Sequence, residues 1–197
     1  MTQLTLPGIE VTQRAWARAL EHHVFFAVMP DPGTAARIAR TAGGLRAELQ
    51  IETSMLPAGR WHISLQSLND FARMPEGAVE QACAAAATID LPPFDVTFDQ
   101  IVSFKGKPGN SPWVLKGSAA LGDLIDLRQR LRHALARKGL RVSGEAFTPH
   151  LTLLYDRRRF GVREIEPVIW TVREFVLIDS WVGKKRYDIK GRWPLKR

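Results

Sequence analysis

Two short stretches of this chain carry the same order of side chains, and each is best satisfied by a half-buried β-strand. Trp61-His62-Ile63-Ser64-Leu65 and Phe147-Thr148-Pro149-His150-Leu151-Thr152-Leu153-Leu154-Tyr155 both set a histidine, an apolar residue, a hydroxyl and a second apolar residue in succession. Successive side chains of a strand point to opposite faces. His62 and Ser64 therefore share one face and Ile63 and Leu65 the other, and His150 and Thr152 separate in the same way from Leu151 and Leu153. An imidazole beside a hydroxyl, backed by aliphatic residues, suits a polar cleft laid over an apolar core. The histidines stand 88 positions apart. Each strand follows a predicted helix, so the two halves read as a loose repeat.

The remaining elements fit that repeat. Val24 to Met29 is a near-continuous apolar run that predicts a buried strand. Asp31-Pro32 then supplies an N-cap and a proline at the first helical position. That helix is expected to reach Leu45 or Gln50, with Gly43-Gly44 weakening its middle or ending it early. Trp61 to Leu68 predicts the first histidine strand, and Pro75-Glu76 opens an alanine-rich helix to about Thr88. Phe94 to Phe104 alternates, and Lys107-Pro108-Gly109-Asn110 turns the chain into an antiparallel partner at Trp113-Val114-Leu115. Leu121 to Lys138 has leucines at helical spacing and Gly139 after its last lysine. After the second histidine strand, Arg157-Arg158-Arg159 and a loop lead to strands at about Val172–Val182 and Tyr187–Leu195, joined at Gly183-Lys184-Lys185-Arg186. The fold class is α+β, with two pseudo-symmetric lobes facing each other. Residues 23–197 read as one bilobal domain and 1–22 as a tail, flexible or helical.

Composition excludes several classes of protein. With 45% hydrophobic and 24% charged residues over 197 positions, the chain can bury a core without disulfides or metals. Its single cysteine, Cys83, fits a reducing cytoplasm. No apolar run approaches the roughly 20 residues that cross a bilayer, and Thr2 to Glu10 lacks the pattern of a signal peptide. A cytoplasmic protein without a membrane partner is expected. The net charge is +8, and seven of those charges fall between Arg157 and Arg197. Such a basic segment favours a polyanionic partner such as nucleic acid. Gln3-Leu4-Thr5-Leu6-Pro7 resembles the short motifs by which bacterial proteins dock on the sliding clamp, beside the plainer reading of a tail.

The paired histidines point to acid–base chemistry. They lack His-x-His or His-Glu-x-x-His spacing and an accompanying cysteine or carboxylate cluster, so neither a metal site nor a cofactor is expected. Ser64 lies on a strand without an elbow glycine, which argues against a serine nucleophile. Histidine gives and takes protons near neutrality. Two in one cleft can act as acid and base on an anion, with the hydroxyls of Ser64 and Thr152 on its oxygens. Spacing alone leaves open which ring is the acid.

On His62-Ile63-Ser64-Leu65 and Phe147-Thr148-Pro149-His150-Leu151-Thr152-Leu153, the chain resembles the two-histidine phosphoesterases, in particular the RNA 2′,3′-cyclic phosphodiesterases historically called 2′-5′ RNA ligases. Phe25-Phe26-Ala27-Val28 with Pro30-Asp31, and Tyr187-x-Ile189-x-x-Arg192-Trp193-Pro194-Leu195, extend the resemblance over about residues 24–195. It implies a bilobal α+β fold whose antiparallel sheets line a central cleft, with helices packed outside. It also implies metal-independent hydrolysis of RNA or oligonucleotide 2′,3′-cyclic phosphate ends to 2′-phosphates; a monomer is expected. His62 would be the proton donor and His150 the proton acceptor, with Ser64 and Thr152 holding the phosphate. Related alternatives are 2′-5′ RNA ligation and cleavage of other cyclic phosphates or 2′-5′ oligonucleotides; a different class is an RNA-end binding module without turnover. Two positions depart from the pattern. Ser64 replaces the usual threonine and keeps its hydroxyl. Tyr155 stands where relatives often carry arginine, which makes Lys105, Arg157 and Lys185 candidate cations, Tyr155 a candidate stacking residue and Gln66 a further substrate contact.

Overall fold

The computed structural model describes residues 20–196 except positions 120, 143 and 145, so the Gln3–Pro7 docking motif lies outside the described residues. The chain runs β1 (His22–Val28), α1 (Pro32–Glu48), β2 (Ile63–Phe71), α2 (Glu76–Ala86), β3 (Phe94–Ser103), β4 (Ser111–Lys116), α3 (Gly122–Arg137), β5 (His150–Asp156), β6 (Arg163–Val172), β7 (Glu174–Trp181) and β8 (Arg186–Pro194). All pairings are antiparallel, and the strands follow one another as β6-β3-β4-β5-β2-β1-β7-β8.

Local chemistry accounts for most of these boundaries. The Asp31 carboxylate caps α1 by accepting from the Thr34 amide at 2.9 Å and the Thr34 hydroxyl at 2.6 Å, and Pro32 starts the helix. The helix then passes through Gly43 and Gly44 without ending. Burial of Ile38, Ala42 and Leu45 against the sheet outweighs the roughly 1 kcal/mol that each glycine costs relative to alanine. Helix α3 buries Leu124, Leu127, Leu131 and Leu135 along one stripe, and Gly139 follows at φ +78°, a left-handed conformation that suits glycine after a helix end.

Strand β6 corrects the expectation of a loop after Arg159. It pairs with β3 from Phe94↔Val172 to Ile101↔Arg163 and buries Val168, Trp170 and Val172 in alternation. Pro167 and two glutamates weaken its strand signal. Because β6 lies at the sheet's edge, a residue without an N–H is tolerated there.

The three helices cover one face of the sheet and share the main core with Phe26, Phe98, Leu115 and Leu151. Each helix that follows a central hairpin strand crosses to the other half: α1 packs on β6, and α3 packs on β2. The opposite face carries a smaller apolar cluster of Phe25, Ala27, Val176 and Ile178. The halves β6-β3-β4-β5 and β2-β1-β7-β8 meet at the pairing of Ile63 with Leu151. Both side chains are fully buried on the helix side. Leu151→Ala is expected to cost about 2–5 kcal/mol of unfolding free energy, read from urea denaturation. A loss below about 1 kcal/mol would show that this joint is not part of the cooperative core.

Candidate active site

The Ile63↔Leu151 pairing builds the site directly. In an antiparallel pair, the residues flanking a matched pair are matched in turn. His62 therefore lies across from Thr152, and Ser64 across from His150, all four on the face away from the helices. The two imidazoles occupy opposite corners of this square and the two hydroxyls the others. Side chains directly across such a pair stand about 5 Å apart at Cβ.

Both rings are held in the same way. His62 Nδ1 lies 2.8 Å from the Arg60 carbonyl, and His150 Nδ1 lies 2.7 Å from the Thr148 carbonyl. A carbonyl only accepts, so Nδ1 carries the proton in each ring and Nε2 is left for a ligand. Each ring also rests on a phenylalanine. The His62 and Phe25 centroids are 4.9 Å apart, and those of His150 and Phe104 are 5.1 Å apart. Tyr187 closes over His62 edge-on at 5.7 Å and touches Phe25 at 6.0 Å. Burial raises the Tyr187 phenol above its ordinary value, against a hydrogen bond from Arg60, so the hydroxyl remains protonated at neutral pH.

Burial lowers His62 from 6.5 to about 4. Its bond to the Arg60 carbonyl opposes that shift, while the charges of His150, Arg60 and His23 add to it. With nothing bound, His62 is a neutral ring at physiological pH.

β-Bulges decide which later residues reach this face. In β2, Ala27 pairs with Ser64 but Phe26 with Gln66, so Leu65 is an extra residue. In β5, Val114 pairs with Thr152 but Trp113 with Leu154, so Leu153 is extra. Each bulge sits three positions after its histidine and reverses the alternation beyond it. Gln66 is thereby turned to the helix side, where it is 3% exposed and its amide donates to the Ser67 carbonyl at 3.0 Å. It is not on the His62 face, contrary to the simple alternation. The second bulge turns Tyr155 back to the His150 face, 44% exposed, close enough to act electrostatically on Tyr187.

The remaining candidates divide. Ser64 is exposed and Thr152 half-buried, both within the square. Lys105 is exposed and follows Phe104, the ring beneath His150. Arg157 is not brought to the histidines; it lines a separate depression with Gln50, Glu52, Thr53, Asp156 and Arg158. Lys185 occupies the exposed β7–β8 turn at φ 52°. Sequence reasoning passed over Arg60, whose only signal is its place two residues before His62, and Lys116, Phe104 and the role of Tyr187, which come near only through strand pairing. His22 leads β1 and is buried against Asp179 at 3.0 Å, outside the square. Among the described residues no three His, Cys, Asp or Glu side chains gather into a metal-binding group, and no helix is long and apolar enough to cross a membrane.

The low His62 value carries a linkage with a definite sign. The folded ring resists protonation down to about 4, whereas the unfolded ring takes up a proton near 6.5. Folding stability from this residue is therefore lost as the pH falls from about 6.5 to 4 and is flat above that window. NMR titration is expected to place the His62 midpoint near 4, and His62→Gln should flatten the acid limb of stability in that window. A midpoint at or above 6.5 would contradict the environment described here.

Comparison with known proteins agrees with this architecture. A family model described as the 2′-5′ RNA ligase superfamily matches residues 30–182. The crystal structure of Escherichia coli LigT in apo form is 25% identical with a TM-score of 0.67, covering 90% of this chain and 99% of that one. The same protein complexed with 3′-AMP is 26% identical at 0.66, with the same coverage. TT0787 of Thermus thermophilus is 21% identical at 0.66, covering 88% and 97%, and shows a likeness of fold. No curated protein matches the chain by sequence.

Proposed function

The chain belongs to the 2′-5′ RNA ligase superfamily of two-histidine phosphoesterases, and on that premise we propose that it hydrolyses 2′,3′-cyclic phosphate ends of RNA or oligonucleotides to 2′-phosphates without a metal. One observation carries this reading: two imidazoles at opposite corners of one square, each with Nδ1 tied to a backbone carbonyl and Nε2 left free. Hydrolysis of a cyclic phosphodiester needs a base on the attacking water and an acid on the departing oxygen, on opposite sides of phosphorus. Diagonal rings meet that demand.

In this reading His150 takes a proton from water as its oxygen bonds to phosphorus. The bond from phosphorus to the 3′-oxygen breaks, and His62 delivers its proton to that oxygen. The Ser64 and Thr152 hydroxyls donate to the non-bridging oxygens as charge builds on them. Tyr155, exposed on the same face, offers a ring to the terminal base. LigT has been obtained with 3′-AMP bound, which supports a nucleotide-sized ligand in the corresponding cleft here.

The donor role requires a charged His62, and burial opposes that charge in the empty protein. A phosphate anion at contact distance favours the cation. Proton uptake by His62 is therefore coupled to substrate binding. Saturating the protein with a 2′-phosphate product should raise the His62 titration from about 4 toward neutrality; a ring that stays neutral would reverse the two roles.

Purified protein in EDTA, given a 2′,3′-cyclic nucleotide, is expected to release only the 2′-phosphate. His62→Ala and His150→Ala should each slow turnover about 10²–10⁴-fold. A 3′-phosphate product, or turnover that survives both substitutions, would refute the reading. Tight binding of the end without product would make the cleft a binding module instead.

A further inference from the structure

Two cations outside the histidine motifs border the square, one from each half of the sheet. Arg60 is half-buried, with its guanidinium 4.9 Å above the Tyr187 ring. Its own backbone carbonyl holds His62, and its charge is among those acting on that ring. Among the described residues, Arg60 Nε is buried with no hydrogen-bond partner, and no carboxylate forms a salt bridge with its guanidinium.

Lys116 reaches the site from the other half. It pairs directly with His150 across β4–β5 and with Gln100 across β3–β4. Residues directly opposite in a ladder share a face, so Lys116 stands beside His150 on the histidine side of the sheet. It is half-buried and, among the described residues, has no salt bridge within 4.0 Å. The neighbouring amide of Gln100 donates instead to Glu164 at 3.3 Å. Asp99 feels the Lys116 charge, though it is held down mainly by the Ser118 hydroxyl.

A cation taken partly out of water without a salt-bridge partner gives up hydration that is only partly returned. Two such cations flanking a pair of free imidazole nitrogens suit an anion that arrives from solution. We propose that Arg60 and Lys116 clamp the non-bridging oxygens of the terminal phosphate from its two sides, Arg60 beside His62 and Lys116 beside His150. This inference rests on the phosphoesterase reading and adds to it the source of positive charge. The planar guanidinium, fixed on Tyr187, can offer two parallel N–H groups to one phosphate, whereas the lysine acts as a point charge. The oxygens they hold are those on which charge accumulates when water adds to phosphorus.

The test compares one fluorescent oligonucleotide with a 2′-phosphate end and the same oligonucleotide with a free hydroxyl end, by anisotropy over a range of salt. Arg60→Met keeps the carbonyl that holds His62 and removes the charge; Lys116→Met does the same for the second cation. Each is expected to weaken binding of the phosphorylated end about tenfold to a hundredfold. The slope of log affinity against log salt should fall by about one for each cation lost. Binding of the hydroxyl end should not change, Arg60→Lys and Lys116→Arg should recover part of the loss, and Lys184→Met should behave as wild type. Equal loss for both ends, no loss for either, or a wild-type protein that does not distinguish the ends would overturn the clamp. The two readings fail separately. Wild-type turnover with unaffected variant binding sinks the clamp alone, and selective binding through both cations without turnover sinks the phosphoesterase reading alone.

Discussion

The structure depends on one backbone pairing, Ile63 with Leu151, where two four-stranded halves become one sheet. On its buried side this joint is part of the core, with both aliphatic side chains fully enclosed. On its open side it forces the histidines and hydroxyls into a square. The same antiparallel geometry performs both tasks, because a strand sends alternate side chains to opposite faces. Burial that stabilises the fold by roughly 1.5–3 kcal/mol for each aliphatic side chain thereby also sets the position of the two imidazoles.

The pseudo-twofold relation extends beyond the four residues. Each ring donates from Nδ1 to the carbonyl two residues upstream, each rests on a phenylalanine, and each strand bulges three residues downstream. The bulges matter because an extra residue exchanges the faces of everything after it. They remove Gln66 from the histidine face and admit Tyr155 to it without disturbing the square. The halves are not identical. Tyr187 and Arg60 enclose His62, while His150 has Lys116 beside it and a more open surround. Burial lowers His62.

Much of the fold was legible in the chain. The Asp31-Pro32 start of α1, the leucine stripe of α3 and the hairpin at Lys107–Asn110 follow from local rules that hold regardless of what the element packs against. Strand β6 was not legible, because Pro167 and its neighbouring glutamates are acceptable only on an edge strand, and edge position is a property of the assembled sheet. The glycine pair at 43–44 leaves open whether α1 is weakened or ended there, and packing of Ile38 and Leu45 carries the helix through it.

For the site, the division has a physical basis. The sequence by itself determined the two histidines, their hydroxyls and the faces they share, since the period of a strand is two and the motifs are only four residues long. Tertiary structure decided everything that depends on a neighbour from another strand: Lys116 through β4, Tyr187 through β8, and the exclusion of Arg157, which faces a different depression. It also decided Gln66 and Tyr155, because a bulge arises from the register between two strands and leaves no mark on either one alone. Local periodicity can pick out the paired histidines and hydroxyls; only strand register says which other residues stand beside them.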